Sequence, residues 1–151
     1  TPYEFAKDNS VDEIVSVEFL EHISFRDTIK VLKEWHRIMK IGGKLMIQVP
    51  AIDKMCEMFV KGEVCSCVPH KPLDVVDAKA FYACDVCGGD GKVNPIRWLF
   101  AFTGAQKHDF DVHRNVFTKN ILTLNLIEAG FKNVEVGYDK YNWKLVARCQ
   151  K

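Results

Sequence analysis

Four cysteines packed into one polar stretch are the residues of this chain whose types and spacing most clearly suggest chemistry. Cys65 and Cys67 make a C-x-C pair, Cys84 and Cys87 a C-x-x-C pair followed by Gly88-Gly89, and His70 lies nearby. Closely spaced thiolates are the donors of tetrahedral structural zinc, and a tight glycine turn lets both sulfurs of a pair reach one ion. Cys65, Cys67, Cys84 and Cys87, or a set with His70 replacing one thiolate, would fill the coordination sphere and leave no position for a substrate. Such an ion would order a loop that lacks its own core rather than catalyse a reaction. Reduced, unligated thiols and a disulfide are the other two readings of the same cluster. Cys56 and Cys149 fall in apolar patterns and read as core residues.

The chain has 151 residues, 48% hydrophobic and 27% charged, which suits one soluble domain large enough to bury a core without staples. Its 21 Lys+Arg balance 20 Asp+Glu, so a net charge of +1 creates no field that would favour nucleic acid or an anionic membrane. Lys61, Lys71, Lys79 and Lys92 are interleaved with Glu63, Asp74, Asp77, Asp85 and Asp90, so the cysteine stretch carries no basic stripe. The apolar runs are short, and TPYEFAKDNS has neither the basic nor the apolar region of a signal peptide. These features read as cytoplasmic, with no membrane and no nucleic-acid partner.

The elements that must hold any site follow from hydrophobic periodicity. Val11 to Val17 is rich in β-branched residues and reads as a mostly buried strand. Ser24 with Asp27 resembles a capping box, and Phe25, Ile29, Leu32, Trp35, Ile38 and Met39 recur at helical spacing. Gly42-Gly43 is expected to close that helix, and Lys44 to Val49, ended by Pro50, reads as a second strand. Strand, helix and strand make a βαβ unit with parallel pairing. A short helix is expected over 53–61, with Met55, Phe59 and Val60 on one face. Residues 62–95 read as a cysteine-rich insertion within a single domain. Thr118 caps a helix carrying Leu122, Leu126 and Ala129, which Gly130 ends and Phe131 folds back upon. Val134 to Val136 and Trp143 to Cys149, joined through Asp139-Lys140-Tyr141-Asn142, should pair antiparallel.

These residues resemble the class I S-adenosylmethionine-dependent methyltransferases. The resemblance rests on Asp8-Asn9-Ser10-Val11-Asp12-Glu13-Ile14-Val15, Leu20-Glu21-His22, the run from Glu34 to Leu45 that contains Lys40-Ile41-Gly42-Gly43, and Val49-Pro50. Asp111-Val112-His113, Phe117-Thr118 and Glu128-Ala129-Gly130-Phe131 are similar to the carboxy-terminal signature of the same group. Val11 and Ile41 depart from the phenylalanine and proline usual there, but both remain apolar. The resemblance implies an α/β, partial Rossmann-like fold with a mixed sheet of about four strands, and motif order starts the chain just before the family's fourth strand. The dense glycine run Cys87 to Gly91 follows no strand and opens no apolar helix, so it fails the context of a cofactor-binding turn.

In such folds ligands sit outside the carboxy ends of the parallel strands. The resemblance therefore implies that Glu18 and Phe19 border S-adenosylmethionine, while His22 and His113 act as catalytic acid, base or positioning groups. Structural readings stand beside these: Glu21 and His22 as a helix cap or as hydrogen-bonding the backbone, and His113 as a loop pin. The methyl acceptor is expected to be a small molecule or saccharide-type compound, with this chain alone inactive because the cofactor-binding half is missing. The alternative is a non-catalytic methyltransferase-like assembly or binding module with a structural zinc loop. If the strand 11–17 has no inner neighbour, its open edge favours a homo-oligomer.

Overall fold

The β-branched run Val11–Val17 forms strand β1, with the bounds its sequence indicates. A computed structural model of the chain describes residues 6–61, 95–140 and 143–151. β1 leads through a 3-10 turn at Leu20–His22 into helix α1 (Thr28–Ile38), strand β2 (Met39–Pro50) and helix α2 (Ile52–Lys61). Then come α3 (Pro95–Thr103), a 3-10 turn at Asp109–Asp111, α4 (Lys119–Glu128), β3 (Lys132–Tyr138) and β4 (Lys144–Gln150). The four strands form one mixed sheet in the order β1-β2-β4-β3. β1 runs parallel to β2, and β4 pairs antiparallel with both β2 and β3. This is the expected α/β architecture. The expected insertion over 62–95, with Cys65, Cys67, Cys84 and Cys87, lies outside the described residues apart from Pro95.

Register puts one face of the sheet into the core. Ser16 pairs with Ile47, Ile47 with Ala147, and Ala147 with Val136, so these residues form one row across all four strands. All four are buried, and Leu45, Val49, Leu145 and Cys149 extend the same face beneath Leu32 and Trp35 of α1 and Leu122 and Leu126 of α4. Each fully buried leucine contributes about 1.5–3 kcal/mol relative to leaving it exposed. β1 itself is less buried than expected. It lies at the sheet edge, and its alternate residues Val15 and Val17 are exposed because nothing described covers that face.

α1 begins later and ends earlier than the sequence indicates. Its N-cap is Asp27, which makes no side-chain cap, so the capping box does not form. Ser24 instead supplies its carbonyl to the amides of Asp27 and Thr28 (2.8 and 3.1 Å) and to the hydroxyl of Thr28 (3.1 Å), and Phe25 is left exposed. The helix stops at Ile38 without using the glycines, because Met39 is already extended and belongs to β2. Gly42, at φ +78°, lies within the strand where the pairing with β1 shifts register. Lys151 replaces the glycine as a C-terminal cap, donating from Nζ to the carbonyls of Arg37 (3.1 Å) and Met39 (2.9 Å). Arg37 holds both carboxylate oxygens of Glu34 (Nη2 2.6 Å, Nε 2.9 Å) and also reaches Asp8 and the carbonyl of Ala6, which fastens the entry to β1 onto the helix.

On α2, Met55 and Met58 are buried, whereas Phe59, Val60 and Cys56 are exposed, so the expected apolar face is rotated and Cys56 is not a core residue. Cys149 is buried as expected, and burial pushes its thiol up to about 12. Thr118 caps α4 by accepting from the amide of Ile121, and Phe131 turns back to donate its amide to Leu126. Between them Gly130 sits at φ +101°, where a Cβ would come within 3.2 Å of His36 Nε2. Gly130→Ala is therefore expected to destabilise the fold by about 1–3 kcal/mol, combining a disfavoured backbone with a forced shift of the His36 ring. A thermal melt checks this; an unchanged midpoint would show that the turn relaxes freely.

Candidate functional site

The polypeptide leaves β1 in a sharp reversal. Glu18 adopts φ +50°, uncommon for a residue with a side chain, while its amide still continues the ladder to Gln48 (3.0 Å). That reversal starts the 3-10 turn that carries Glu21 and His22. A second segment, from Gly104 to Phe117, crosses this turn. The amides of Arg114 and Asn115 both donate to the carbonyl of Glu21 (2.8 and 3.0 Å), and the amide of His113 donates to Thr103 (3.1 Å). Gly104 makes the crossing feasible: it stands at φ +78°, with the carbonyl oxygen of Asp111 where a Cβ would lie.

The crossing brings His22 and His113 together, edge to face, with ring centroids 5.0 Å apart. His22 Nδ1 lies 3.2 Å from the carbonyl of Val112, so this nitrogen must carry the proton and donate, which leaves Nε2 as an acceptor. Burial lowers the His113 pKa, the neighbouring His22 lowers it further, and the carbonyls of Ala101 and Phe102 oppose the shift in part. Both rings line an open cavity of about 400 Å³, together with Glu18, Pro50, Asp111 and Lys144. This cavity lies at the carboxy ends of β1 and β2, and its size suits a small ligand.

Glu18 is in the cavity wall, where it forms an ion pair with Lys144 (3.3 Å). Phe19 is partly exposed beside that wall, its ring 6.2 Å from Trp35. The residue to which the sequence reading gave only a structural role is Glu21. It is only 1% exposed, and neither carboxylate oxygen has a hydrogen-bond partner. Burial raises its pKa to about 7, the nearby Glu18 carboxylate adds to the rise, and Lys144 opposes it in part. The cap reading of Glu21 is incorrect, because its side chain caps nothing. The available signal was an acidic residue set in an apolar run beside a histidine, directly after a strand.

A mixed four-stranded sheet with a carboxy-terminal antiparallel hairpin, and a cavity outside the ends of its parallel strands, is the arrangement of a partial Rossmann-like methyltransferase fold. Residues 4–47 match the family model described as "Methyltransferase domain". The likeness to class I S-adenosylmethionine-dependent methyltransferases seen in the motifs is therefore upheld by fold and by that segment. A search of curated proteins gives no match. Among solved structures, a possible exported protein of Bordetella parapertussis aligns over 100% of this chain and 42% of its own (TM-score 0.55, 13% identity). An Archaeoglobus fulgidus SAM-dependent methyltransferase aligns over 98% of this chain and 62% of its own (TM-score 0.54, 10% identity). The Burkholderia thailandensis 1,6-didemethyltoxoflavin-N1-methyltransferase, solved with bound 1,6-didemethyltoxoflavin and S-adenosylhomocysteine, aligns over 98% of this chain and 47% of its own (TM-score 0.51, 13% identity). The chain thus spans between 42% and 62% of the length of these three proteins.

Proposed function

We propose that this chain supplies the acceptor-side wall of an S-adenosylmethionine-dependent methyltransferase acting on a small-molecule or saccharide-type acceptor. The observation that carries this reading is the cavity at the carboxy ends of β1 and β2, which gathers Glu18, His22 and His113. Glu18 and Phe19 border the cofactor, and His22 and His113 position the acceptor or exchange a proton with it. Methyl transfer depends mainly on alignment of a nucleophile with the sulfonium methyl, which rigid strand ends are suited to provide. No stretch of the sequence reads as the family's glycine-rich turn, so this chain alone is expected to hold the cofactor only weakly and to be inactive. Titration of S-adenosylhomocysteine into isotopically labelled chain, followed by NMR, should give weak shifts centred on Glu18 and Phe19. Shifts located elsewhere would overturn the cofactor edge, and tight stoichiometric binding would overturn the half-site.

The open edge of β1 favours a second reading, a module that assembles with its own copies through strand 11–17. Val15 and Val17 are 57% and 49% exposed there, and the strand pairs on one side only among the described residues. Light scattering at micromolar concentration should then report a dimer, and a monomer would sink this reading. No helix among the described residues is long and apolar enough to cross a membrane; a cytoplasmic location belongs to the proposal.

A further inference from the structure

We infer that Glu21, His22 and His113 bind one divalent first-row metal cation, with coordination positions left open toward the cavity. Each side chain offers a ligand atom within 4.8 Å of the other two, and among the described residues no other group of three His, Cys, Asp or Glu does so. Ligand atoms around tetrahedral zinc stand roughly 3.3 Å apart, so small rotations of the two rings would close the set on an ion. Two imidazoles and one carboxylate are the donors of open zinc and non-haem iron sites, which keep positions for a further ligand.

Two independent features of the site agree with a cation. Both oxygens of Glu21 are buried and lack a partner, an arrangement that is costly for a carboxylate unless a positive charge is supplied. The His22 Nδ1–H is fixed on the Val112 carbonyl, the supporting contact that orients a ligating histidine and frees Nε2. Because His22 and His113 also line the cavity, the open positions would take an oxygen of the acceptor, such as a hydroxyl. That last step rests on the methyltransferase reading, whereas cation binding does not.

The test is a Co²⁺ titration of chelator-stripped chain without S-adenosylmethionine, read by visible absorption and proton NMR. One saturating equivalent is expected, with weak ligand-field bands and paramagnetically shifted imidazole signals from His22 and His113. Glu21→Gln should weaken binding by more than about 100-fold, beyond the loss expected for a merely supporting contact. His113→Ala should act likewise, and both variants should keep the wild-type circular dichroism in chelator. If thiolate charge-transfer bands appear, replacing Cys65, Cys67, Cys84 and Cys87 by serine should remove them and leave the Glu21-dependent equivalent. No saturable binding, or binding unchanged in Glu21→Gln, overturns the site. Either result leaves the S-adenosylhomocysteine experiment unaffected.

Discussion

Gly104→Ala is expected to dismantle the candidate site while leaving the sheet in place. A Cβ there would lie 1.8 Å from the Asp111 carbonyl oxygen, 2.9 Å from its carbon and 3.1 Å from the His113 amide nitrogen. All three are backbone atoms, so no rotamer change relieves the overlap, and φ +78° adds a cost of its own. The segment from Gly104 to His113 must move away, and the His113 amide loses its hydrogen bond to the Thr103 carbonyl. Accommodating this is expected to cost about 3 kcal/mol, with a melting midpoint lower by roughly 2–4 °C per kcal/mol in a chain of this size. The decisive readout is local: contacts between the His22 and His113 rings should vanish from NMR spectra, and Co²⁺ affinity should fall. Gly137→Ala is the control, since nothing lies within 4 Å of its would-be Cβ. A Gly104→Ala protein that kept the ring contact would show that the crossing does not depend on this glycine.

Glu21→Gln should stabilise the metal-free protein at pH 8 and leave it nearly unchanged at pH 5. The Glu21 pKa rises from 4.5 to about 7, chiefly through burial, so the folded state retains a proton that the unfolded chain releases. Stability attributable to this group is therefore fully present below 4.5 and lost as pH rises toward 7. At about 1.4 kcal/mol per pH unit between 4.5 and about 7, the loss reaches roughly 3–4 kcal/mol above neutrality. Glutamine does not ionise and escapes it. His36 and His113 have the opposite slope: burial lowers both from 6.5, so their contribution is lost as pH falls below that value. Taking the difference between wild type and variant at each pH, by urea denaturation in chelator, isolates the carboxylate. A variant less stable than wild type at pH 8 would mean that the carboxylate has a stabilising partner. A bound cation should remove the variant's advantage, because it stabilises only the wild type.

The elements that the sequence disclosed were those whose local preferences and tertiary roles agree. The β-branched run 11–17 forms a strand in any context that pairs it, and Thr118, Leu122, Leu126 and Gly130 specify one helix with both ends marked. Gly42-Gly43 misled because glycine after a helical pattern favours a helix stop and a strand irregularity alike, and only pairing with β1 distinguishes them. Phe25, Phe59 and Val60 misled for a related reason, since periodicity defines an apolar face but not what arrives to cover it. His22 and His113 could be named from motif order. The approach of His113 to Glu21 and His22 could not, because it depends on a crossing held by backbone hydrogen bonds from Arg114 and Asn115, which side-chain pattern does not encode. The burial of Glu21 is a product of that crossing.

The same pair of backbone bonds governs when the site can exist. Glu21 and Asn115 are far apart along the chain, and the entropy of bringing such distant positions together must be met before their contacts give any return. The hairpin of β3 and β4 closes a far shorter loop and can form early. The amides of Arg114 and Asn115 should therefore gain protection late in refolding, after those of β3 and β4, and open first under native conditions. Pulsed hydrogen exchange would order the two events directly. The chemistry of this chain would then be the last part of the molecule to assemble and the first to let go, so its working lifetime would be set by one crossing and not by the stability of the sheet beneath it.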